Sequence, residues 1–213
     1  AMAGGILLNA LSGIHYIYGM TVILLVCTIY TIRGGLYAVI GTDFIQSIII
    51  LIGIVIVGLA VLHNVSINEI HTKLSINRPA LLDVMFPVAI MAVFNNLLFG
   101  LGEVFHNNVW WSRAFAFRTG VGKKAFLIAG LIWLPIPIAA GFIALASPAL
   151  NIAVPNPDMV GPLVVAKVLG NVGAIAIFII VFCSLASSID SLLAATSDLI
   201  TEDIYRKMFM HKA

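Results

Sequence analysis

The chain has 213 residues, of which 62% are hydrophobic and only 9% are charged, whereas soluble domains carry about 25% charged residues. This composition excludes an ordinary soluble domain and predicts an integral membrane protein whose apolar runs cross about 30 Å of hydrocarbon. The net charge of +2 comes from basic residues in separate loops, which indicates membrane topology and excludes a nucleic-acid-binding surface.

The apolar runs, taken in order, predict an all-α, polytopic membrane protein with a single transmembrane region. The first run ends a spanning helix, and the pair Gly34-Gly35 separates the second run from the third. The polar segment 64–83 is predicted to be the longest loop, and residues 201–213 are predicted to be a cytoplasmic tail. The predicted spans are residues 1–10 (partial), 17–32, 37–62, 84–111 (broken), 125–146 and 163–200.

The fourth span contains residues that a lipid-facing helix would not carry. Asn95, Asn96 and Glu103 stand among apolar residues, and Gly100 and Gly102 interrupt the run. Irregular backbone at membrane depth is tolerated only where it is buried in protein or lines a cavity. This span is therefore predicted to be a broken helix that faces a polar cavity.

The distribution of Lys and Arg predicts which loops face the cytoplasm. With alternating spans, eight basic residues fall on one side of the membrane and three on the other. Because short cytoplasmic loops are enriched in Lys and Arg, the first side is predicted to be cytoplasmic in a multi-pass protein of the plasma (inner) membrane. The cytoplasmic set is Arg33, Arg113, Arg118, Lys123, Lys124, Arg206, Lys207 and Lys212, and the opposite set is Lys73, Arg78 and Lys167.

A stripe of hydroxyl groups marks the last span. Ser184, Ser187, Ser188 and Ser191 follow an i, i+3, i+4, i+7 spacing, so they share a helical arc of about 100°. Polar groups inside a bilayer normally face a partner or a water-filled path, and hard oxygen donors suit a small hard cation. Close packing of small residues explains the same spacing, so the stripe alone leaves both interpretations open.

Three patches of the chain together resemble the sodium:solute symporter family. Residues 31–46, TIRGGLYAVIGTDFIQ, are similar to the family's T-x-x-G-G-L-x-A-V-x-x-T-D-x-x-Q signature. Residues 102–114, GEVFHNNVWWSRA, resemble its broken sixth core helix, and residues 184–205 resemble its eighth, with an S-x-x-S-S stripe and a final D-I-Y. Within the family, the sequence around Trp133 and Pro157 looks most like the urea active transporters.

The resemblance implies the LeuT fold, in which two inverted five-helix repeats have broken first and sixth helices. Placed on that fold, the chain covers the end of core helix three and core helices four to eight, a partial inverted-repeat bundle. Core helices one, two, nine and ten would then be supplied by the same or another chain. We therefore expect a piece of a longer transporter.

The resemblance also implies a principal sodium site. By position, its ligands fall on Ser184, Ser187 and Ser188, through side-chain or backbone oxygens. Arg113 is expected either to help set the membrane topology or to pair with an acidic residue such as Glu202.

A second charge site is implied by the family's T-D motif, whose aspartate falls on Asp43. Some members hold a second cation there, which places it among Asp43, Asp190 and Ser191. Asp190 stands where the family usually has Ser or Thr, so we hypothesise that Asp43 and Asp190 form a carboxylate pair around a second cation or a shared proton. Alternatively, Asp43 is a helix-start carboxylate that the positive end of the helix dipole stabilises.

The broken helix is expected to supply the face that binds the substrate. Amides and aromatic rings hold a small polar solute through hydrogen bonds and stacking. A packing role for the histidine and an interfacial role for the tryptophans remain alternatives. The candidates are Glu103, His106, Asn107, Asn108 and Trp110, with Trp111 as a second choice to Trp110.

The function implied by the resemblance is secondary active symport of a small polar solute by alternating access, coupled to sodium or, alternatively, to protons. The sequence contains no pairing of nucleophile and base, so no enzyme activity is expected, and no cofactor or structural metal beyond Na⁺ as the coupling ion. A sensory membrane domain of a larger signalling protein and a passive channel are the other functions considered. The expected partners are a small polar solute, Na⁺, the lipid bilayer and the missing transmembrane helices, and no nucleic acid.

Overall fold

The computed structural model describes residues 1–153 and 156–210, and every regular element in this part of the chain is helical. The α-helices are α1 (Met2–Ser12), α2 (Tyr16–Asn64), α3 (Ile67–Asn77), α4 (Pro87–His106), α5 (Asn108–Ala116), α6 (Gly122–Trp133), α7 (Pro135–Leu145) and α8 (Val160–Leu199). Short 3₁₀-helices cover Pro79–Leu82 and Pro157–Met159, and a π-helix covers Ile200–Phe209.

Four helical segments are long and apolar enough to cross a membrane. They are Tyr16–Asn64, Pro87–His106, Gly122–Leu145 and Pro157–Phe209. Large hydrophobic side chains are exposed along all of them, for example Leu59, Phe99 and Leu131. Exposed apolar surface on this scale is costly in water and favourable against lipid. The fold is therefore that of an all-α polytopic membrane protein.

Glycines break the two longest helices. α2 has 49 residues, which at about 1.5 Å per residue would be about 74 Å long, more than twice the hydrocarbon thickness. Gly35 interrupts it with φ 55° and ψ −149°, a conformation open to residues without a Cβ. Gly170 does the same in α8, with φ 60° and ψ −143°. Residues 36–64 and 171–199 are each long enough for one crossing.

The predicted broken span is divided at Asn107. α4 ends at His106, Asn107 adopts extended φ and ψ of −102° and 114°, and α5 begins at Asn108. The Asn107 side chain accepts a hydrogen bond from the backbone N–H of Val109 at 3.0 Å, which satisfies one of the free donors at the start of α5. The break therefore has a local cause in the Asn107 N-cap.

Residues 64–83 were expected to form a loop, and that expectation was wrong because most of the segment is helical. Ser66 accepts a hydrogen bond from the backbone N–H of Glu69, which caps the first turn of α3. Ile70 and Leu74, one turn apart, are buried. Capping and an apolar face together stabilise a helix in a segment whose average composition is polar.

The chain divides into two compact units. The first comprises Ala1–Ile49, His106–Leu127 and Val181–Ala213, and the second comprises Ile50–Phe105 and Ile128–Ile180. In the first unit, Ile23, Cys27 and Ala186 are buried together, and partly buried side chains pack against them: Tyr30, Phe182, Ile189 and Leu193. This packing holds the first half of α2 against α8.

The C-terminal segment carries exposed ion pairs one helical turn apart. Arg206 pairs with Glu202 at 3.0 Å, and Lys207 pairs with Asp203 at 2.5 Å. Because all four side chains are exposed, each pair contributes little to stability. Of the predicted cytoplasmic tail, residues 211–213, including Lys212, lie outside the described residues.

Gly5 provides a test of the packing between α1 and α2. A Cβ at Gly5 would meet the backbone carbonyl of Tyr16 and would lie 3.0 Å from the backbone nitrogen of Met20. We expect Gly5→Ala to lower the free energy of unfolding by about 1–3 kcal/mol, because backbone atoms cannot move aside cheaply. The readout is the melting temperature of detergent-solubilised protein, followed by tryptophan fluorescence.

Gly41→Ala is the matched control, because a Cβ at Gly41, also within a helix, meets nothing within 4 Å. It should leave the melting temperature unchanged or raise it slightly, since Ala favours helix by up to about 1 kcal/mol over Gly. Equal melting temperatures for both variants would contradict the packing described.

Candidate functional site

A fully buried carboxylate lies between the first half of α2 and α8. Asp190 has no solvent exposure, and its Oδ2 accepts a hydrogen bond from the Tyr30 hydroxyl. The Thr42 hydroxyl lies 3.4 Å from the same oxygen and 3.0 Å from the carbonyl oxygen of Ala38 in its own helix. The other oxygen, Oδ1, is buried and has no hydrogen-bond partner among the described residues.

The unpaired Oδ1 of Asp190 determines which charged species this part of the site can attract. Burying a charge without compensation costs several kcal/mol, and within residues 1–153 and 156–210 no basic side chain forms a salt bridge with Asp190. A carboxylate in this position attracts either a proton or a cation. In a membrane protein, such a group is a candidate for function rather than for stability alone.

A second carboxylate, Asp43, has its own set of partners. Ser187 donates a hydrogen bond to Oδ1, and the Arg113 guanidinium forms a salt bridge with Oδ2 at 2.8 Å. The same guanidinium nitrogen donates to the Ser191 hydroxyl at 2.6 Å, and Ser191 lies 3.5 Å from Asp43 Oδ2. Asp43, Arg113, Ser187 and Ser191 therefore form one hydrogen-bonded network.

The site has two parts, one around Asp190 and one around Asp43, and adjacent residues of α2 and of α8 contribute to each. Thr42 faces Asp190, whereas the next residue, Asp43, faces Ser187 and Ser191. Successive residues on a helix point about 100° apart, so Thr42 and Asp43 can contact different residues of the same neighbouring helix. The hypothesised carboxylates thus lie in one cluster, each with different hydrogen-bond partners.

α5 carries Arg113 and is attached to α8 by side-chain contacts. Asn108 donates from Nδ2 to the backbone carbonyl of Ala195 at 3.3 Å. The Ser112 hydroxyl lies 3.5 Å from Asp198 Oδ2. The break at Asn107 starts a new helix at this point, so the Arg113 side chain can reach both α2 and α8.

The serines of the stripe divide between two faces of α8. Ser184 and Ser188 are exposed, and the Ser188 hydroxyl donates to the Ser184 carbonyl at 3.1 Å. Ser187 and Ser191 point instead to the Asp43 network. The inner pair, Ser187 and Ser191, joins the stripe to the Asp43 carboxylate.

The candidate substrate residues are distributed over both units. Asn107 and Asn108 use side-chain atoms for the N-cap of α5 and for the contact with Ala195, and the Trp110 ring centroid lies 6.4 Å from that of Phe126. His106 is exposed at the start of the irregular segment. Glu103 belongs to the second unit.

Two participants were not found from the sequence. Tyr30 lies in an apolar run, and nothing in its spacing indicates a contact with a residue 160 positions away. Arg113 was expected to serve topology or to pair with an acidic residue such as Glu202. It does pair with an acidic residue, but this residue is Asp43, and Glu202 pairs with Arg206. An arginine beside a predicted helix break was the one available signal.

A cavity of about 530 Å³ lies in the first unit, and the α8 residues that line it follow Asp190 and Ser191 in the sequence. Its lining is rich in hydroxyl groups and includes Asp198, and the Thr31 hydroxyl is buried there without a hydrogen-bond partner among the described residues. The lining residues are Thr28, Thr31, Ile32, Gly35, Leu36, Leu193, Ala194, Thr196, Ser197, Asp198, Ile200 and Thr201.

The hydrogen bond from Tyr30 to Asp190 can be tested by removing one hydroxyl. Tyr30→Phe leaves Asp190 with a weaker set of donors, so we expect the free energy of unfolding to fall by about 1–3 kcal/mol. SDS-induced unfolding followed by circular dichroism measures the change. Tyr37→Phe is the matched control, because Tyr37 is 92% exposed and should be neutral. A neutral Tyr30→Phe variant would contradict the contact.

Comparison with known proteins identifies the family. The family model described as "Sodium:solute symporter family" matches residues 1–213. The osmoregulated proline transporter OpuE of Bacillus subtilis (strain 168) is 28% identical over 220 residues, covering 100% of this chain and 44% of the relative. The urea-proton symporter DUR3 of Oryza sativa subsp. japonica is 26% identical, covering 96% of this chain and 33% of the relative.

The urea active transporter of Saccharomyces cerevisiae is 23% identical over 96% of this chain and 32% of its own length. The chain thus spans less than half the length of these relatives. No solved structure matches it. The family model covers every residue, including the three patches that carry the resemblance. The chain belongs to the sodium:solute symporter family.

Proposed function

We propose that the chain forms part of a secondary active symporter that moves a small polar solute with sodium by alternating access. The family and the relatives are transporters, not enzymes. The observation that carries the proposal is the presence of two carboxylates between α2 and α8: Asp190 is fully buried, and Asp43 is held by Ser187, Ser191 and Arg113. Charged groups within spanning helices normally face a functional partner.

Sodium is proposed to bind on the outer face of the serine stripe. Ser184 offers a backbone carbonyl and a hydroxyl, and Ser188 lies one turn further along the same exposed face. Ser187 lies beside them and donates a hydrogen bond to Asp43, so an ion bound at the stripe would interact electrostatically with that carboxylate. Oxygen ligands of this kind suit a hard cation.

A second site for positive charge is proposed at Asp43, Asp190 and Ser191. The unpaired Oδ1 of Asp190 supports it, because a proton or a cation would remove the cost of burying that oxygen. The relatives point to both kinds of coupling, since one is named a urea-proton symporter and others sodium/proline symporters.

The solute is proposed to be small and polar, with proline and urea as the first candidates, because these are the compounds in the relatives' names. Glu103, His106, Asn107, Asn108 and Trp110 are the proposed contacts. Sodium binding at the stripe raises the affinity for the solute, and the reverse holds by thermodynamic necessity. Release of sodium on the inner side is proposed to pass Asp43 and the hydroxyl-lined cavity at Asp198.

The test is uptake of radiolabelled proline and of radiolabelled urea into proteoliposomes that contain the full-length polypeptide carrying residues 1–213. We expect an inward sodium gradient to drive accumulation of one of them above its external concentration. Ser188→Ala removes one proposed ligand and should raise the half-saturating sodium concentration about tenfold, the effect of roughly 1.4 kcal/mol.

Ser75→Ala is the control, since Ser75 is an exposed serine of α3 that donates to the carbonyl of its own helix and should leave uptake unchanged. Asp190→Ser, run in the same assay over a range of pH, should alter either the sodium or the pH dependence. Downhill flux that ignores sodium and pH would indicate a channel. Binding of radiolabelled proline or urea without any uptake would favour the alternative function, a sensory membrane domain of a larger signalling protein.

A further inference from the structure

Arg113 contacts two of the residues, Asp43 and Ser191, at which a second cation is proposed to bind. Its guanidinium donates to Asp43 Oδ2 at 2.8 Å and to the Ser191 hydroxyl at 2.6 Å. Ser187 donates to the other oxygen of the same carboxylate. The oxygens that would coordinate a second cation therefore already surround a positive charge that belongs to the chain.

We propose that Arg113 is a tethered cation that takes the place of a second coupling ion at Asp43 and Ser191, so that one Na⁺, at the serine stripe, couples to each solute. This inference rests on the proposed function, because it names what occupies part of the second charge site. Asp190 stays outside this exchange, since its hydrogen-bond partners in the described part of the chain are Tyr30 and Thr42 rather than Arg113.

The chemistry of the two cations explains why one excludes the other. Arginine stays charged at every physiological pH and presents several N–H donors in a plane. Na⁺ instead needs several oxygens directed at one point. Asp43 Oδ2 and Ser191 Oγ are 3.5 Å apart, close enough for one cation to contact both. Because the guanidinium is attached to the chain, its local concentration exceeds that of free sodium.

The site is open enough for this competition to occur. The side chains of Arg113 and Asp43 are 22% and 20% exposed, so the pair is not sealed within this chain. A sealed salt bridge would act only in folding, whereas a partly exposed one can exchange its cation. Removing the guanidinium leaves Asp43, Ser187 and Ser191 as an oxygen-lined position with uncompensated negative charge.

The experiment compares Arg113→Gln with wild type in the full-length polypeptide. The number of bound ²²Na⁺ ions per purified protein is measured by a scintillation proximity assay. We expect the variant to bind one more sodium ion than wild type. In uptake assays, the Hill coefficient for sodium should rise from about 1 to about 2, the number of sites that then act together.

Two variants serve as controls. Arg118→Gln removes a cation five residues away and should behave as wild type. Arg113→Lys keeps the positive charge and should keep the wild-type number of bound sodium ions. Asp43→Asn combined with Arg113→Gln removes both charges and should abolish the additional sodium ion.

The result that would overturn the proposal is an unchanged number of bound sodium ions in Arg113→Gln. A variant that does not fold even at high sodium would also overturn it, because sodium should replace the guanidinium and restore the fold. The deciding quantity is the difference in the number of bound sodium ions between variant and wild type. If wild type shows no sodium dependence at all, the proposed function fails, and an additional ion in the variant still supports the role of Arg113.

Discussion

Asp190 is fully buried and Asp43 is partly buried among helices of a membrane protein. Both carboxylates require positive charge or hydrogen-bond donors nearby, and the site is organised around this constraint. Asp43 is compensated by Arg113, Ser187 and Ser191. Asp190 has donors on one oxygen only, and its other oxygen has no partner in the described part of the chain. The two carboxylates therefore differ in how far their charge is compensated within the chain.

The backbone breaks make this arrangement possible. Gly35 interrupts α2 a few residues after Tyr30 and before Thr42 and Asp43, so side chains from both sides of the break contact α8. Asn107 ends α4 and starts α5, which brings Arg113 to the same place. Each break has a local cause, a glycine with positive φ or an N-cap side chain, so the site does not depend on strained residues.

Much of the fold followed from the sequence, because hydropathy and helix-breaking residues are local signals. The apolar runs, the serine stripe and the irregular segment near Asn107 could all be read from residue order alone. The α3 helix was missed because capping by Ser66 and burial of Ile70 and Leu74 outweigh a polar average composition. Tyr30 and Arg113 could not be assigned partners, since those contacts join residues 160 and 70 positions apart.

The central claim is that the serine stripe of α8, which Ser187 joins to the Asp43 network, forms a specific sodium site. Ligand-linked stability tests this claim without knowledge of the solute. The measurement is the melting temperature of the purified full-length polypeptide in sodium chloride and in choline chloride at equal ionic strength. Binding to the folded state alone predicts a saturable rise of the melting temperature in sodium, which Ser187→Ala should weaken. Identical melting temperatures in the two salts at all concentrations would contradict the account.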